Sequence, residues 1–146
     1  MNGLSRKAPP ASGDDRRLRR STDPLVALHY QLSTTRARGE LDAIVVADAS
    51  GVVVAGAGSW PVCEELAAYA PLLAEGAWSS MTDQVSSRVE SLRSEVEVRS
   101  LRVAGQEVLL CARRQPRAGV EAQAKVTRDL EAAAAGVSRI LLSAAA

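Results

Sequence analysis

Residues 42–57 read Asp-Ala-Ile-Val-Val-Ala-Asp-Ala-Ser-Gly-Val-Val-Val-Ala-Gly-Ala. Two runs rich in β-branched residues flank a short polar loop that ends at Gly51, where glycine can supply the positive φ of a tight hairpin turn. Neither residues 44–47 nor residues 52–55 alternate between apolar and polar side chains, as a half-exposed strand would. The stretch therefore predicts two antiparallel strands that are covered on both faces by helices.

Helical spacing of apolar residues occurs on both sides of this hairpin. A first helix is predicted from Asp23 and Pro24, which have the chemistry of an N-cap and a first helical residue. A middle helix is predicted from Ser59 and Pro61, with a bend at Pro71. Residues 107–112 form another continuous apolar run, and helical spacing returns from Val126 onward. The fold class is therefore predicted as α+β, an α/β/α sandwich with helices on both faces of a mostly antiparallel sheet of four to five strands.

The stretch before the last hairpin allows more than one interpretation. Residues 85–96 have a helical period that overlaps a strand-like segment. Val96 and Val98 lie in one phase of strand alternation, whereas Leu101 and Val103 lie in the other. Either a β-bulge lies near Arg99 and Ser100, or the strand starts only there.

The chain has 146 residues and a formal net charge of +1, and the charge is unevenly distributed. Residues 1–24 carry a net charge of +3, which leaves −2 for the remainder. Because residues 1–23 hold hardly any large apolar side chains, they are predicted to be a disordered basic tail, followed by one domain at residues 24–143. Without interleaved aromatic residues, the tail is a poor match to a nucleic-acid-binding segment.

The expected location of the protein in the cell follows from targeting and membrane signals that this sequence lacks. No apolar region follows the basic residues as it would in a secretory signal, and no run has the length of a membrane span. Cys63 and Cys111 are isolated cysteines in apolar stretches, as buried reduced thiols are. The expected location is cytoplasmic.

Few residues fit a catalytic or metal-binding role. The single histidine, His29, would have to join Cys63 or Cys111 and further ligands to build a zinc site or a triad. Residues 56–59 lack the lysine of a phosphate-binding loop and suit a strand-to-helix turn, and Asp48 suits an Asx turn. We therefore expect no catalytic residue, no cofactor and no metal.

Several side chains suit contacts with partners. Trp60 and Trp78 bracket the middle helix in a chain with only 3% aromatic residues and no phenylalanine. They could be core residues or interface anchors. Arginines on or beside the last two strands could protect a sheet edge or form a docking surface.

The order of elements resembles the roadblock/LC7 domain. The resemblance rests on the hairpin entry at residues 41–51 (LDAIVVADASG), the strand at residues 52–56 (VVVAG) and the hairpin at residues 101–110 (LRVAGQEVLL). It covers about residues 25–142 and implies a fold of the same kind.

Roadblock/LC7 proteins are non-enzymatic dimers that bind, regulate or scaffold Ras-like small GTPases or motor complexes, and in bacteria they often act with a GTPase in polarity or motility. The resemblance implies a homodimer joined through a sheet edge and the middle helix. The expected contacts are Leu66, Tyr69 and Leu73 on the helix and Val96, Val98 and Leu101 on the edge. Leu66 and Leu73 could equally belong to the core of one chain.

Two other functions remain open at the level of sequence. One is a sensor domain of similar architecture that binds a small ligand between sheet and helix. The other is a hydrolase or thiol enzyme that uses Cys63 or Cys111, which would require an activated thiolate.

Overall fold

The computed structural model describes residues 23–75, 83–115 and 120–145. Within them the chain forms four helices and four strands. In chain order these are α1 (Pro24–Gly39), β1 (Leu41–Asp48), β2 (Val53–Ala57), α2 (Trp60–Glu75), α3 (Asp83–Arg93), β3 (Val96–Val103), β4 (Gln106–Arg114) and α4 (Val120–Ala145).

The four described strands form one antiparallel sheet in the order β2-β1-β4-β3. Each hairpin supplies one central strand and one edge strand, and the two central strands pair with each other. The predicted α+β class and the antiparallel sheet are confirmed.

Helices cover both faces of this sheet. On one face α1 and α4 pack against a cluster that includes Leu28, Leu32, Ile44, Val46, Leu110, Leu130 and Val137. On the other face α2, with Leu92 at the end of α3, packs against a cluster that includes Val45, Cys63, Leu66, Leu109 and Cys111. From Ala43 to Ala47 in β1 and from Val108 to Ala112 in β4, successive side chains alternate between the two clusters, as expected when a continuous apolar strand lies between two helical layers. Leu41 departs from this alternation because the pairing of β1 with β4 shifts register between Leu41 and Ala43.

The first helix begins as its sequence predicts. Asp23 caps it, because the Asp23 Oδ1 atom accepts a hydrogen bond from the backbone N–H of Val26 at 3.3 Å, and Pro24 occupies the first turn. The helix continues to Gly39, and Glu40, which follows with a positive φ of 51°, forms its C-cap. The turn leads directly into β1.

The prediction that residues 52–55 are covered on both faces is wrong. Val52 and Val54 are 59% and 37% exposed, and only Ala55 of this run is buried. The reason is topological: β2 lies at the edge of the sheet, so the helices that cover the central strands cover it only in part. An apolar run of four residues does not distinguish an edge strand from a central one.

Neither interpretation of the third strand is correct. β3 begins at Val96 and pairs with β4 through Val103 without a register shift. The change of phase has another cause: Val96 and Val98 face the layer of α2, whereas Leu101 and Val103 face the layer of α4. An edge strand can change its apolar face along its length because each face is covered over only part of that length.

The middle helix continues through Pro71 to Glu75, and the bend expected at Pro71 stays a prediction. Residues 76–82, which include Trp78, lie outside the described part of the chain, as do residues 1–22 of the tail predicted at residues 1–23.

Two glycines with positive φ offer a matched test of packing. A Cβ atom added at Gly58, where φ is 120°, would lie 2.8 Å from the Ala43 Cβ atom and 2.9 Å from the Asp42 carbonyl oxygen. At Gly105, where φ is 81°, a Cβ atom would meet nothing within 4 Å.

We predict that Gly58→Ala lowers the free energy of unfolding by about 3 kcal/mol, because it combines backbone strain with a clash against β1. Gly105→Ala should cost about 1 kcal/mol, since it carries the backbone strain alone. Urea denaturation measures both values. Equal losses would show that the turn before α2 does not pack tightly against β1.

Candidate interaction surfaces

The two edges of the described sheet differ in how they are protected. β2 has five residues and contains a bulge, since Val54 is an extra residue opposite the step from Val46 to Ala47. A bulge disrupts the row of backbone groups that an added strand would need. His29 of α1 also donates a hydrogen bond through Nδ1 to the Gly56 carbonyl oxygen at 3.1 Å. The β2 edge is thus a poor place for strand addition.

The β3 edge is longer and regular. It has eight residues, and its pairing with β4 shows no bulge. A loop of two residues, 104–105, joins the strands, so Val103 and Gln106 form a hydrogen-bonded pair. In an antiparallel ladder such pairs recur at every second residue.

A contact beyond the start of β3 agrees with this pattern. The Glu95 carbonyl oxygen accepts a hydrogen bond from the Arg114 N–H at 2.8 Å, as the alternation from Val103 requires. Odd-numbered residues of β3 therefore bond to β4. The backbone N–H and C=O groups that point away from β4 belong to Val96, Val98, Ser100 and Arg102.

Two arginines at the end of β4 hold the start of β3 in place. Arg113 donates hydrogen bonds to Glu95 Oε1 at 2.9 Å and 3.1 Å. On the opposite face, Arg114 donates to the Ser94 carbonyl oxygen and lies 3.5 Å from Glu97. Arg114 is only 9% exposed, so these contacts lie in a partly desolvated environment where they are stronger than at the surface.

Side chains of β3 also anchor the strand to α4. Glu97 accepts a hydrogen bond from the Thr127 hydroxyl at 2.7 Å, and Arg99 forms an ion pair with Glu131 at 3.2 Å. The predicted roles of the arginines were edge protection or partner docking. In the structure, Arg99, Arg113 and Arg114 fasten the edge strand to its own domain.

The six predicted interface residues fall into two groups. Five belong to the α2 side of the sheet: Leu66 and Val96 are buried there, and Tyr69, Leu73 and Val98 are partly buried. Leu101 packs on the opposite side, against the α1–α4 cluster. Leu66 has no exposed surface in the single chain and therefore serves as a core residue.

A bidentate ion pair joins α2 to α3. The Arg88 guanidinium donates through Nη2 to Glu65 Oε1 at 2.6 Å and through Nε to Oε2 at 2.9 Å. These hydrogen bonds hold the pKa of Glu65 below its usual range. No local pattern predicts this pair, because its partners are 23 positions apart and outside any helical spacing.

The residues considered for catalysis have structural roles. Burial raises the pKa of Cys63, and it raises the pKa of Cys111 to about 12. Both thiols are therefore protonated near neutral pH and are poor nucleophiles. Among the described residues no group of three or more histidine, cysteine or acidic side chains could hold a metal ion.

The candidate turn residues also serve the fold. Asp48 Oδ1 accepts hydrogen bonds from the N–H groups of Ser50 and Val52, at 2.9 Å and 3.0 Å, as an Asx-type turn would require. Within residues 56–59, a Cβ atom added at Gly56 would approach the Cys63 sulfur to 3.0 Å. The glycines there allow α2 to pack closely on β1 and β2.

Trp60 is not a core residue. It is 56% exposed and lines a shallow groove with Val52, Val53 and Glu64 at the β2 end of the sheet.

Between sheet and helices, where a sensor domain would hold a small ligand, both clusters consist of buried side chains. No helix within the described ranges is long and apolar enough to span a membrane.

Comparison with solved structures supports the fold. MglB of Myxococcus xanthus matches with a TM-score of 0.53 at 13% sequence identity, over 83% of this chain and 92% of that one. The gliding protein MglB of Thermus thermophilus matches with a TM-score of 0.53 at 18% identity, over 81% of this chain and 90% of that one.

The chain shares the fold of MglB. The roadblock/LC7-like fold predicted from the sequence is thereby confirmed. No protein-family model and no curated protein matches the sequence.

The Glu65–Arg88 pair generates a prediction about pH. Because the pKa of Glu65 is lower in the folded chain than the unperturbed value of 4.5, the pair stabilises the fold fully above that pH. The stabilisation is lost as the pH falls through the folded-state pKa. We predict that Glu65→Gln costs about 1 kcal/mol near neutral pH.

The difference between the variant and the wild type should shrink steadily as the pH falls below 4.5, and chemical denaturation at several pH values measures it. Glu64→Gln, at the exposed neighbouring position, is the control and should change the free energy of unfolding little near neutral pH. A loss for Glu65→Gln that stays constant down to the acid transition would contradict the proposed role of the ion pair.

Proposed function

We propose that this protein is a cytoplasmic, non-enzymatic homodimer that binds and regulates a Ras-like small GTPase. The fold it shares with MglB supports a regulator of this type, and the roadblock/LC7-like sequence pattern implies such a partner. The observation that carries the proposal is the unprotected β3 edge. It is the only edge among the described strands that is long, regular and free of a bulge.

Dimerisation follows from the chemistry of that edge. Outward N–H and C=O groups at alternate residues of β3 match the same groups on a second copy when the two strands run antiparallel about a two-fold axis. Pairing the edges satisfies these groups and joins two sheets of four strands into one. It also removes the liability of a regular exposed strand.

Side chains on the α2 side of the sheet can contribute to the same dimer interface. Val98, Tyr69 and Leu73 are each partly exposed, and they belong to the cluster that borders the β3 edge. When a second copy pairs with β3, these side chains lie beside the join, where they can bury further apolar surface. The two α2 helices and the continuous sheet then form the platform on which the GTPase docks.

Regulation on this platform requires no catalytic group from the domain. Cys63 and Cys111 are buried and protonated and His29 bonds to the Gly56 carbonyl oxygen, so the proposal assigns none of them a catalytic role. The regulator instead holds the switch regions of the GTPase in the conformation that it prefers, which changes the nucleotide cycle through differential binding. The direction of the change depends on which conformation binds more tightly.

Proline substitution tests the proposed edge directly. The Ser100 N–H points away from β4, so Ser100→Pro removes a donor from the outer side of β3 and leaves its pairing with β4 intact. We predict a folded monomer in sedimentation. Ser100→Ala is the matched control, since it removes the same hydroxyl contact with Glu107 but keeps the N–H, and it should remain a dimer.

A dimer that persists unchanged in Ser100→Pro would place the interface elsewhere. This variant is a cleaner test than Leu101→Lys, because the Leu101 side chain packs against the α1–α4 cluster of its own chain.

Binding of the GTPase needs a separate measurement. We predict that the full-length protein captures a Ras-like GTPase of the same genome, and that capture differs between the GTP-bound and GDP-bound states. Pull-down with each nucleotide state measures this. Failure to bind in both states would remove the GTPase proposal while leaving the dimer proposal intact.

A further inference from the structure

A groove of about 430 Å³ lies between α1 and α4, on the side of the molecule opposite α2. Its lining residues come from both helices: Ala27, Tyr30, Gln31, Thr34, Arg38 and Arg139. The helices approach closely at Gly136, where an added Cβ atom would lie 2.5 Å from Gln31 Oε1. Gly136 therefore leaves room for the Gln31 side chain, which lines the groove, to lie against α4.

The two arginines that line this groove, Arg38 and Arg139, differ from most arginines in the described part of the chain. Seven of the ten arginines in the described ranges donate a side-chain hydrogen bond or form an ion pair: Arg36, Arg88, Arg93, Arg99, Arg102, Arg113 and Arg114. The three whose side chains have no such contact within the described ranges are Arg38, Arg128 and Arg139. Arg38 and Arg139 line the groove, whereas Arg128 is an exposed residue of α4 outside its lining.

The spacing of these arginines sets the size of a ligand. Arg128 and Arg139 are eleven residues apart on α4, so they lie on nearly the same face of the helix and about 16 Å apart along its axis. The Lys125 ammonium group donates a hydrogen bond to the Arg38 carbonyl oxygen at 2.8 Å. It adds a positive charge beside the C-terminal end of α1. A small anion cannot span this distance, whereas a protein segment can.

Exposed apolar side chains continue from the groove. Tyr30 and Leu142 are 56% and 57% exposed, and Leu142 lies one helical turn beyond Arg139. Leu25 and Val26, each 48% exposed, lie at the N-terminal end of α1. A surface that combines available guanidinium groups with apolar side chains matches a segment with both carboxylates and apolar residues.

We propose that the α1–α4 groove binds an acidic, partly apolar segment of a partner protein. Carboxylates of the segment pair with Arg38 and Arg139 in the groove and with Arg128 beyond it on nearly the same face of α4, and its apolar side chains lie against Tyr30 and Leu142. The chain's own residues 1–22 have the wrong charge for this groove, since they are rich in arginine. A nucleic acid matches less well, because residues 25–146 carry a net charge of −2 and the groove ends in apolar side chains. The proposal does not depend on a GTPase.

The test uses the full chain and a fluorescent helical peptide of about 15 residues, long enough to span the arginines, with glutamate at every third or fourth position and leucine between. Fluorescence anisotropy should show binding that weakens as salt rises. The double variant Arg38→Glu/Arg139→Glu should weaken binding about tenfold or more. Arg93→Glu, at an exposed arginine on α3, is the control and should bind as the wild type does.

Three results would overturn the proposal. The first is equal affinity for the double variant and the wild type, with unchanged circular dichroism in both. The second is equal binding, or equal failure to bind, of the glutamate peptide and a matched peptide with glutamine in place of glutamate. The third is tighter binding of a DNA duplex of similar length than of the acidic peptide, which would assign the groove to nucleic acid.

Discussion

The side chains of the two central strands are excluded from water on both faces, from Ala43 to Ala47 in β1 and from Leu109 to Ala112 in β4. A strand of this kind requires an apolar layer on each side, and the chain supplies α1 and α4 on one face and α2 with α3 on the other. Small residues make the layers close. Ala43, Gly56 and Gly58 bring β1, β2 and the start of α2 within van der Waals contact, and side chains fill the space between sheet and helices.

Once β1 and β4 are central, β2 and β3 must be the edges of the described sheet, and the chain treats them differently. The β2 edge carries a bulge and a histidine contact, which protect it within the single chain. The start of the β3 edge is held by Arg113 and Arg114 of β4, and the strand is joined to α4 by one ion pair and one hydrogen bond. These contacts stabilise an exposed strand without covering its outer backbone groups. Such an arrangement is expected when a second chain covers the edge.

Much of the fold could be predicted from residues 42–57, because a hairpin with continuous apolar strands implies helices on both sides of a sheet. The same reasoning failed at residues 52–55, since apolar composition reports tolerance of burial and not the position of a strand in the sheet. It failed again at Arg99 and Ser100, where the apolar face changes without a bulge. Contacts such as Glu65–Arg88 and Arg114–Ser94 join residues distant in sequence, so no local pattern could reveal them. Whether Arg38 and Arg139 are paired likewise depends on which acids the fold brings near each arginine.

The β3 edge and the α1–α4 groove lie on different parts of the domain, so occupation of one does not block the other. If two copies join through β3, their sheets become continuous, and the α1–α4 layers of both copies cover the same face of the joined sheet. Each dimer then presents two identical grooves on that face and the two α2 helices on the opposite face. A partner with two acidic segments would bind such a dimer far more tightly than a monomer, because the second contact forms at a high effective concentration. Dimerisation through the sheet edge would thereby control binding at a surface that it does not touch.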